Sequence, residues 1–181
     1  MDPTKVVILK TETTGLSETD EVVQVVAIDG VGEVLMDTLV KPSHHSAWPE
    51  AEEVNHISPE SVKNEKEIGA YADKITKLLE AADLVVGYNI DFDLAMLRQS
   101  GVTVPDVKTY DVMMAFSRLH PRWDADYGCV VWARLAMCTK YYGYAYKKGS
   151  ALSYARAILY SFYRVRENAV KVGERVDYGG N

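Results

Sequence analysis

The sequence predicts an α/β domain built on a mixed sheet. Three apolar runs rich in β-branched residues come first, at 5–9, 21–28 and 33–40, and helical periods alternate with a short strand after them. The second and third runs are joined at 29–32 by Asp-Gly-Val-Gly, which favours a tight hairpin and so a three-stranded meander. A chain of 181 residues, 48% of them hydrophobic, has the length and apolar content of one domain.

The middle of the chain is polar and irregular before its pattern becomes periodic again. Residues 42–65 are predicted to be a long loop with one short helix, since Pro49 and Pro59 interrupt any longer element. Small or apolar residues at helical spacing predict an amphipathic helix at 67–82. The apolar run at 84–87 then predicts a short buried strand.

The second half of the chain is predicted to be mainly helical. A helix at 92–99 turns Leu94, Ala95 and Leu97 inward and ends at Gly101, since glycine is typical of the position after a helix. Further helices are predicted at 112–119, 130–141 and 150–168, the last capped by Ser150, and residues 169–181 are predicted to be a C-terminal tail.

Composition argues against several classes of protein. No apolar run approaches the roughly 18 residues that a membrane span requires, and the N-terminus lacks the apolar core of a signal peptide. We therefore expect a cytoplasmic protein that does not bind membranes. Cys129 and Cys138 have no CxxC or CxxH companion, which favours reduced core thiols over a disulfide or a zinc site. The formal charge of −6 argues against nonspecific coating of nucleic acid.

The charge is segregated along the chain. Residues 1–133 carry 11 basic and 23 acidic side chains, whereas residues 134–181 carry 9 basic and 3 acidic ones. The basic part also holds eight of the twelve tyrosines, several of them next to lysines in the run 141–148. Aromatic rings interleaved with lysines are typical of a groove for single-stranded nucleic acid. A basic helix that offsets an acidic body is the alternative, and the pattern alone leaves both open.

Five segments occur in an order that points to one enzyme family. They are Lys-Thr-Glu-Thr-Thr-Gly at 10–15, Val-Lys-Pro at 40–42, Asn-His-Ile-Ser at 55–58, Gly-Tyr-Asn-Ile-Asp-Phe-Asp at 87–93 and Gly-Ser-Ala-Leu-Ser-Tyr-Ala at 149–155. Together they resemble the motifs of the DnaQ-like, DEDDh-type 3′–5′ exonucleases, relatives of the proofreading epsilon subunit and of ribonuclease T. The resemblance implies an RNase H-like mixed five-stranded sheet flanked by helices, with residues 1–168 as the exonuclease-like domain.

The same resemblance implies a reaction for which this chain lacks three of the five catalytic residues. The family hydrolyses the 3′-terminal phosphodiester with two divalent ions held by four carboxylates, and a histidine acts as the general base. Only Glu12 and Asp93 match those carboxylates. Lys10 stands at the first aspartate, Gly149 at the histidine and Tyr154 at the third-motif aspartate.

This replacement changes the charge of the site from −4 to −1. Because an ammonium opposes a nearby dication, we expect Lys10 to lie between Glu12 and Asp93 as a built-in countercharge, with no metal or other cofactor bound. We therefore expect the protein to be catalytically inactive. The alternative is an active 3′–5′ exonuclease that uses Mg²⁺ or Mn²⁺ in an atypical site. Rescue by Asp91, by Asp111 or by any of the four histidines is disfavoured, since Asp111 is expected to be a helix N-cap and the others to be solvated.

The substrate-side positions of the family are better preserved than its catalytic ones. They are Thr13, Thr14, Gly15, Leu16, His56, Asn89 and Phe92, which the resemblance places around the 3′-terminal nucleotide. Two functions follow from them. The protein binds single-stranded nucleic acid or a nucleotide without cutting it, or it is a scaffold that binds a protein partner. The sequence leaves the oligomeric state open.

Overall fold

A computed structural model describes residues 1–171 and 173 of the chain and shows a mixed five-stranded sheet flanked by helices. The strands lie in the order β3-β2-β1-β4-β5, so β1 is central. It pairs antiparallel with β2 and parallel with β4. The predicted fold class is therefore confirmed. The strands are β1 Val6–Thr13, β2 Val22–Asp29, β3 Val34–Leu39, β4 Leu84–Gly87 and β5 Thr109–Asp111.

Both faces of the central strand are buried. Alternate residues of β1 enter two separate clusters, with Ile8 packed against the long C-terminal helix and Leu9 against helices on the opposite face. The same alternation places Lys10 and Glu12 on the face of Ile8, and Thr11 on the face of Leu9. The first strand is longer than the predicted 5–9, because its pairing with β2 continues through Thr13.

The loop after the meander contains two helices, α1 Pro49–Asn55 and α2 Pro59–Val62, where one was predicted. Pro49 and Pro59 begin these helices rather than interrupting them. Proline is tolerated at the first position of a helix, since its missing N–H would have no partner there. The predicted helix 67–82 is divided into a 3₁₀ turn, Ile68–Ala70, and helix α3, Ala72–Glu80.

Helix α4, Ile90–Gln99, begins two residues before the predicted start. Leu94 and Leu97 are buried as expected, but Ala95 is exposed and Met96 takes the inward position. Gly101 has φ +85° and donates its N–H to the Arg98 carbonyl, which confirms its role as the helix stop.

The helix predicted at 130–141 is wrong in its first half. Residues 129–131 form strand β7, Cys129–Val131, which pairs with β6, Arg122–Asp124, across a turn in which Gly128 has φ +62°. The β-branched pair Val130 and Val131 suits a strand, and only Leu135–Tyr141 remains helical as α6. Cys138 is buried as predicted, but Cys129 lies on this hairpin and is exposed, so it is not a core thiol.

The remaining helices are α5, Val112–Leu119, with the predicted bounds, and α7, Ala151–Lys171. The Ser150 hydroxyl accepts the Ser153 N–H at 3.3 Å, as expected of an N-cap. Of the predicted tail 169–181, residues 172 and 174–181 lie outside the described residues. Over the described ranges, no helix is both long enough and apolar enough to cross a bilayer.

Phe162 is central to the packing of α7 on the sheet. Its ring has no exposed surface and meets Tyr110 edge-on, with 5.1 Å between ring centroids. We expect Phe162→Ala to lower the free energy of unfolding by about 3–5 kcal/mol, because the change leaves a cavity in the core. Val170→Ala is the matched control, since Val170 on the same helix is 68% exposed. Equal losses in urea denaturation would contradict this account of the core.

Candidate functional site

Three charged side chains meet at the carboxyl-terminal half of β1. The Lys10 ammonium lies 3.8 Å from Glu12 Oε1 and 3.6 Å from Asp93 Oδ1. It also donates to the Thr11 carbonyl. The side chains are 20%, 13% and 2% exposed, in that order, so this charged trio of Lys10, Glu12 and Asp93 is largely shielded from water. Its formal charge is −1.

Asp93 holds α4 against β1. Its carboxylate accepts both the backbone N–H and the hydroxyl of Thr11, each at 2.7 Å. Asp93 lies in the first turn of α4, and that helix follows Asn89, whose φ of +66° redirects the chain out of β4. The short connection from strand to helix therefore delivers a buried carboxylate to the side of the central strand.

The two carboxyl groups of the trio differ in their surroundings. Burial raises the pKa of Glu12, the Lys10 charge opposes that rise and the Asp93 charge adds to it. Asp93 instead has two hydrogen-bond donors fixed on it by Thr11. Lys10 is thus the single positive charge in the trio and is shared by both carboxylates.

The turn after β1 is fixed by hydrogen bonds from its own residues. The Thr13 hydroxyl donates to the Gly15 carbonyl at 2.6 Å, and the Thr14 hydroxyl donates to Asp20 at 2.8 Å. A Cβ at position 15 would meet the Asp20 carboxylate, so a side chain there would have to displace Asp20 from its bonds to Thr14 and Ser17. Leu16 follows with 84% of its surface exposed.

His56 meets a residue that is remote in sequence. The Asn55 amide donates to the Thr13 carbonyl at 3.1 Å and so brings the end of α1 to the end of β1. His56 is the next residue, with φ +59°, and its imidazole lies where a Cβ at Gly149 would stand. Gly149 itself has φ +69°. Sequence reasoning singled out both residues and missed their contact.

Tyr154 is half-buried on the first turns of α7, and its ring is tilted against Tyr146 with 5.2 Å between centroids. That Tyr154 fills the position of a lost carboxylate stays a prediction. Phe92 is half-buried and packs on the core cluster beneath α3 and α4, so part of its ring has a structural role. The backbone N–H of Asn89 donates to Asp111 at 3.1 Å.

Asp111 is the N-cap of α5, as expected. Its carboxylate accepts the N–H groups of Met113 and Met114 at 2.8 and 3.2 Å. Burial raises the pKa of Asp111, against the lowering by these hydrogen bonds and the one from Asn89. Asp111 is therefore committed to the helix terminus and to the entry of α4.

The side chains of two other histidines are held in local contacts. His45 lies between two carboxylates, with Nδ1 2.8 Å from Glu21 and Nε2 3.5 Å from Asp20. His120 packs on Tyr141, with 4.2 Å between ring centroids. Within residues 1–171 and 173, no group of three or more His, Cys, Asp or Glu side chains is arranged to hold a metal ion.

Comparison with known proteins gives one family and a set of similar folds. The exonuclease family model RNase_T matches residues 7–121. No curated protein sequence matches the chain.

Three solved structures share the fold at low identity. Exonuclease X in complex with 5′ overhanging duplex DNA is 17% identical with a TM-score of 0.65, and the match covers 96% of each chain. The nuclease domain of 3′hExo, a DEDDh family member bound to rAMP, is 11% identical with a TM-score of 0.63, over 97% of this chain and 96% of that one. The Pan2 catalytic unit of Neurospora crassa is 15% identical with a TM-score of 0.71, over 94% of this chain but 28% of that chain.

The charged trio predicts a pH-dependent role for Lys10. We expect Lys10→Met to destabilise the protein by roughly 2 kcal/mol at neutral pH, because two shielded carboxylates lose their countercharge. The pKa of Glu12 is already raised from 4.5, so folding favours its protonated form and its contribution to stability is lost as pH rises through that pKa. Removing Lys10 raises the pKa of Glu12 further. The loss of stability in Lys10→Met should therefore shrink as the pH is lowered towards 4 and Glu12 becomes protonated.

Lys63→Met is the control for this measurement, since Lys63 contacts Glu60 on the surface and is 54% exposed. It should change stability by less than about 1 kcal/mol at any pH. Chemical denaturation over a pH series measures both variants. A Lys10→Met deficit that is constant with pH would show that the ammonium is not a countercharge.

Proposed function

The chain belongs to the RNase_T exonuclease family, and from this membership we propose that it has kept the fold and lost the metal-dependent hydrolysis. In this proposal the domain of residues 1–168 binds single-stranded nucleic acid and does not cut it. The single observation that carries the proposal is the Lys10 ammonium within 4 Å of the two carboxylates that remain at the site.

The charge of the trio does not fit two divalent ions. An ammonium about 4 Å from a dication is repelled by about 2 kcal/mol in water and about 8 kcal/mol at an effective dielectric of 20. Two-metal sites instead surround their ions with carboxylates, which are also the preferred ligands of Mg²⁺. Glu12 and Asp93 are already neutralised in part by Lys10, so the donor set favours a metal-free site and supports no step through a metal.

The binding part of the proposal depends on residues outside the trio. The ammonium of Lys10 is committed to Glu12, Asp93 and the Thr11 carbonyl, and the trio as a whole is negative, so a phosphate gains little there. The basic segment that includes Lys147 and Lys148 supplies the positive charge. The turn at 13–15 is held in shape by its hydrogen bonds, and exposed Leu16 remains available to contact a terminal base.

A scaffold for a protein partner would share the neutralised site, so the site alone does not separate the two functions. The charge distribution favours nucleic acid. Residues 112–150 carry six Lys and Arg against two Asp, whereas residues 1–111 carry nine against twenty-one Asp and Glu. A phosphate backbone is therefore attracted more to the residues of segment 112–150 than to residues 1–111.

One observation favours the second candidate, an active 3′–5′ exonuclease that uses Mg²⁺ or Mn²⁺ in an atypical site. The family's histidine position is Gly149, and the exposed imidazole of His56 lies against that glycine. His56, a histidine from another loop, therefore lies against the position from which the family's general base projects. The presence of His56 leaves the Lys10 ammonium in the site, where it still opposes a metal ion, so we rank this candidate second.

In the first test, a 5′-labelled single-stranded oligonucleotide is incubated with this protein in the presence of Mg²⁺ or Mn²⁺, and its binding and its length are measured. We expect binding that weakens steeply with salt, because phosphate contacts release counterions, and no shortening of the strand. Fluorescence anisotropy measures the binding and a denaturing gel measures the length. Progressive shortening from the 3′ end would reject the proposal in favour of the active enzyme.

A matched pair of variants locates the phosphate contacts. Lys147→Gln with Lys148→Gln should reduce the slope of log affinity against log salt by about 1–2. Lys74→Gln with Lys77→Gln, which alters two exposed lysines of α3, should leave the slope unchanged. No measurable binding by the unmodified protein would favour the scaffold.

The second test restores the family's ligands. Lys10→Asp with Tyr154→Asp should create a site that binds Mn²⁺, which titration calorimetry measures, because the site then has four carboxylates. The base is restored by Gly149→His, and this change needs His56→Gly beside it, since the His56 ring fills the required space. Failure of the Lys10→Asp, Tyr154→Asp protein to bind Mn²⁺ while remaining folded would show that our assignment of the site is wrong.

A further inference from the structure

The β6–β7 hairpin presents an exposed apolar face that the proposed site does not use. Trp123, Val130 and Trp132 are 65%, 50% and 55% exposed. Arg134 follows on the same side and is also exposed. We call these four residues the outer face of the hairpin.

Strand register puts these residues on one side. Trp123 is paired with Val130, so their side chains share a face. Alternation then turns Val131 inward and Trp132 outward, in agreement with their burial.

The inward side of the hairpin is attached to the rest of the fold. Ala133 is buried, donates its N–H to the Ser117 hydroxyl at 3.0 Å and accepts the Tyr88 hydroxyl at 2.6 Å. Arg122, paired with Val131, contacts the sulfur of Met137 on α6 at 3.5 Å. The hairpin therefore presents a fixed side rather than a free strand pair.

The geometry of the outer face suits stacked rings. Trp132 directly follows β7 and lies two residues beyond Val130, the strand partner of Trp123. Both indole rings are exposed, so each offers a face to a flat base. Indole rings are also the side chains with the largest stacking surface.

The charge near the outer face indicates which kind of molecule binds there. Arg134 is the charged member of the outer face. The hairpin also carries Asp124, which is paired with Arg122 at 3.2 Å, and Asp126 in its turn. The hairpin belongs to the segment 112–150, which carries the net positive charge noted above. An apolar protein surface would gain from the tryptophans alone, whereas a nucleic acid gains from both the rings and the positive charge.

The tyrosine-rich segment is less suited to the same role. Tyr144 is stacked on Tyr160, with 4.5 Å between centroids and 22° between planes, and Tyr146 is tilted against Tyr154. Both Tyr144 and Tyr146 are half-buried, so their rings already have partners inside the protein. Tyr141 of the same segment is 59% exposed, but its ring packs on His120 with 4.2 Å between centroids. The exposed tryptophans are on the hairpin instead.

We propose that the outer face of the β6–β7 hairpin stacks the bases of a single-stranded nucleic acid, while Arg134 contacts its phosphates. This proposal rests on the proposed function in one respect, namely that the protein binds single strands. It adds where the bases lie and which residues hold them.

Tryptophan fluorescence tests the proposal directly. Two of the three tryptophans lie on the outer face, and the third, Trp48, is 3% exposed with its indole N–H bonded to the Ile57 carbonyl at 2.6 Å. Titration of the full chain with an oligothymidylate should quench the Trp123 and Trp132 emission and leave that of Trp48. A Trp48→Phe protein removes the background.

Variants then measure what each group contributes. Trp123→Ala with Trp132→Ala should weaken binding by at least about fivefold, whereas Trp123→Phe with Trp132→Phe should retain most of the affinity. Val31→Ala, which shortens an exposed side chain on the β2–β3 hairpin, should leave affinity unchanged. Arg134→Gln should lower the salt slope by about 1.

The outcomes separate this proposal from the proposed function. If the protein binds the strand but the emission is unquenched and the double alanine variant binds equally well, the stacking face is rejected and nucleic-acid binding remains. If the protein binds no strand, both proposals fail. If light scattering shows a dimer that the double alanine variant converts to monomers, the outer face is a contact between copies of this chain, and the stacking proposal is overturned.

Discussion

Charge on the central strand has to be neutralised within the fold. β1 is paired with β2 from Val7 to Thr13 and with β4 at Val6–Ile8. Beyond the pairing with β4 it carries Lys10 and Glu12, and it receives a third charge from Asp93. A shielded carboxylate keeps its charge at least cost when a positive partner or hydrogen-bond donors lie close by. Here the partner is a side chain, so the neutralising charge is covalently attached and cannot leave with a dissociating ion. The two hydrogen bonds that Thr11 donates to Asp93, which hold α4 on the sheet, are formed beside this charge.

Much of this arrangement could be predicted from local sequence patterns. The apolar run of β4 and the helical period of α5 occur where the pattern places them. A short strand buried on both faces is apolar throughout, and a helix buried on one face repeats its apolar residues at helical spacing. The contact of Lys10 with two carboxylates also followed from the sequence. Alternation puts residues 10 and 12 on one face, and a lysine within reach of two carboxylates is drawn to them.

The remainder depends on contacts between distant parts of the chain. Nothing local links His56 with Gly149, whose proximity results from the Asn55 bond to Thr13 and from the start of α7. Residues 130–141 contain apolar positions compatible with either a strand or a helix, and the pairing with β6 decides between them. Burial of Met96 instead of Ala95 likewise reflects the earlier start of α4, which rotates its inward face.

Neutralisation of the site also affects where a nucleic acid could be attracted. In a metal-dependent nuclease the ions at the site attract the phosphate, so the rest of the surface need not be basic. In the proposed metal-free state, a site of charge −1 within residues 1–111, which carry nine basic and twenty-one acidic side chains, does not supply that attraction. The proposed binding then relies on the basic residues of segment 112–150, and short-range contacts must hold the strand there. Exposed indole rings are suited to this task because stacking persists at salt concentrations that screen the charges.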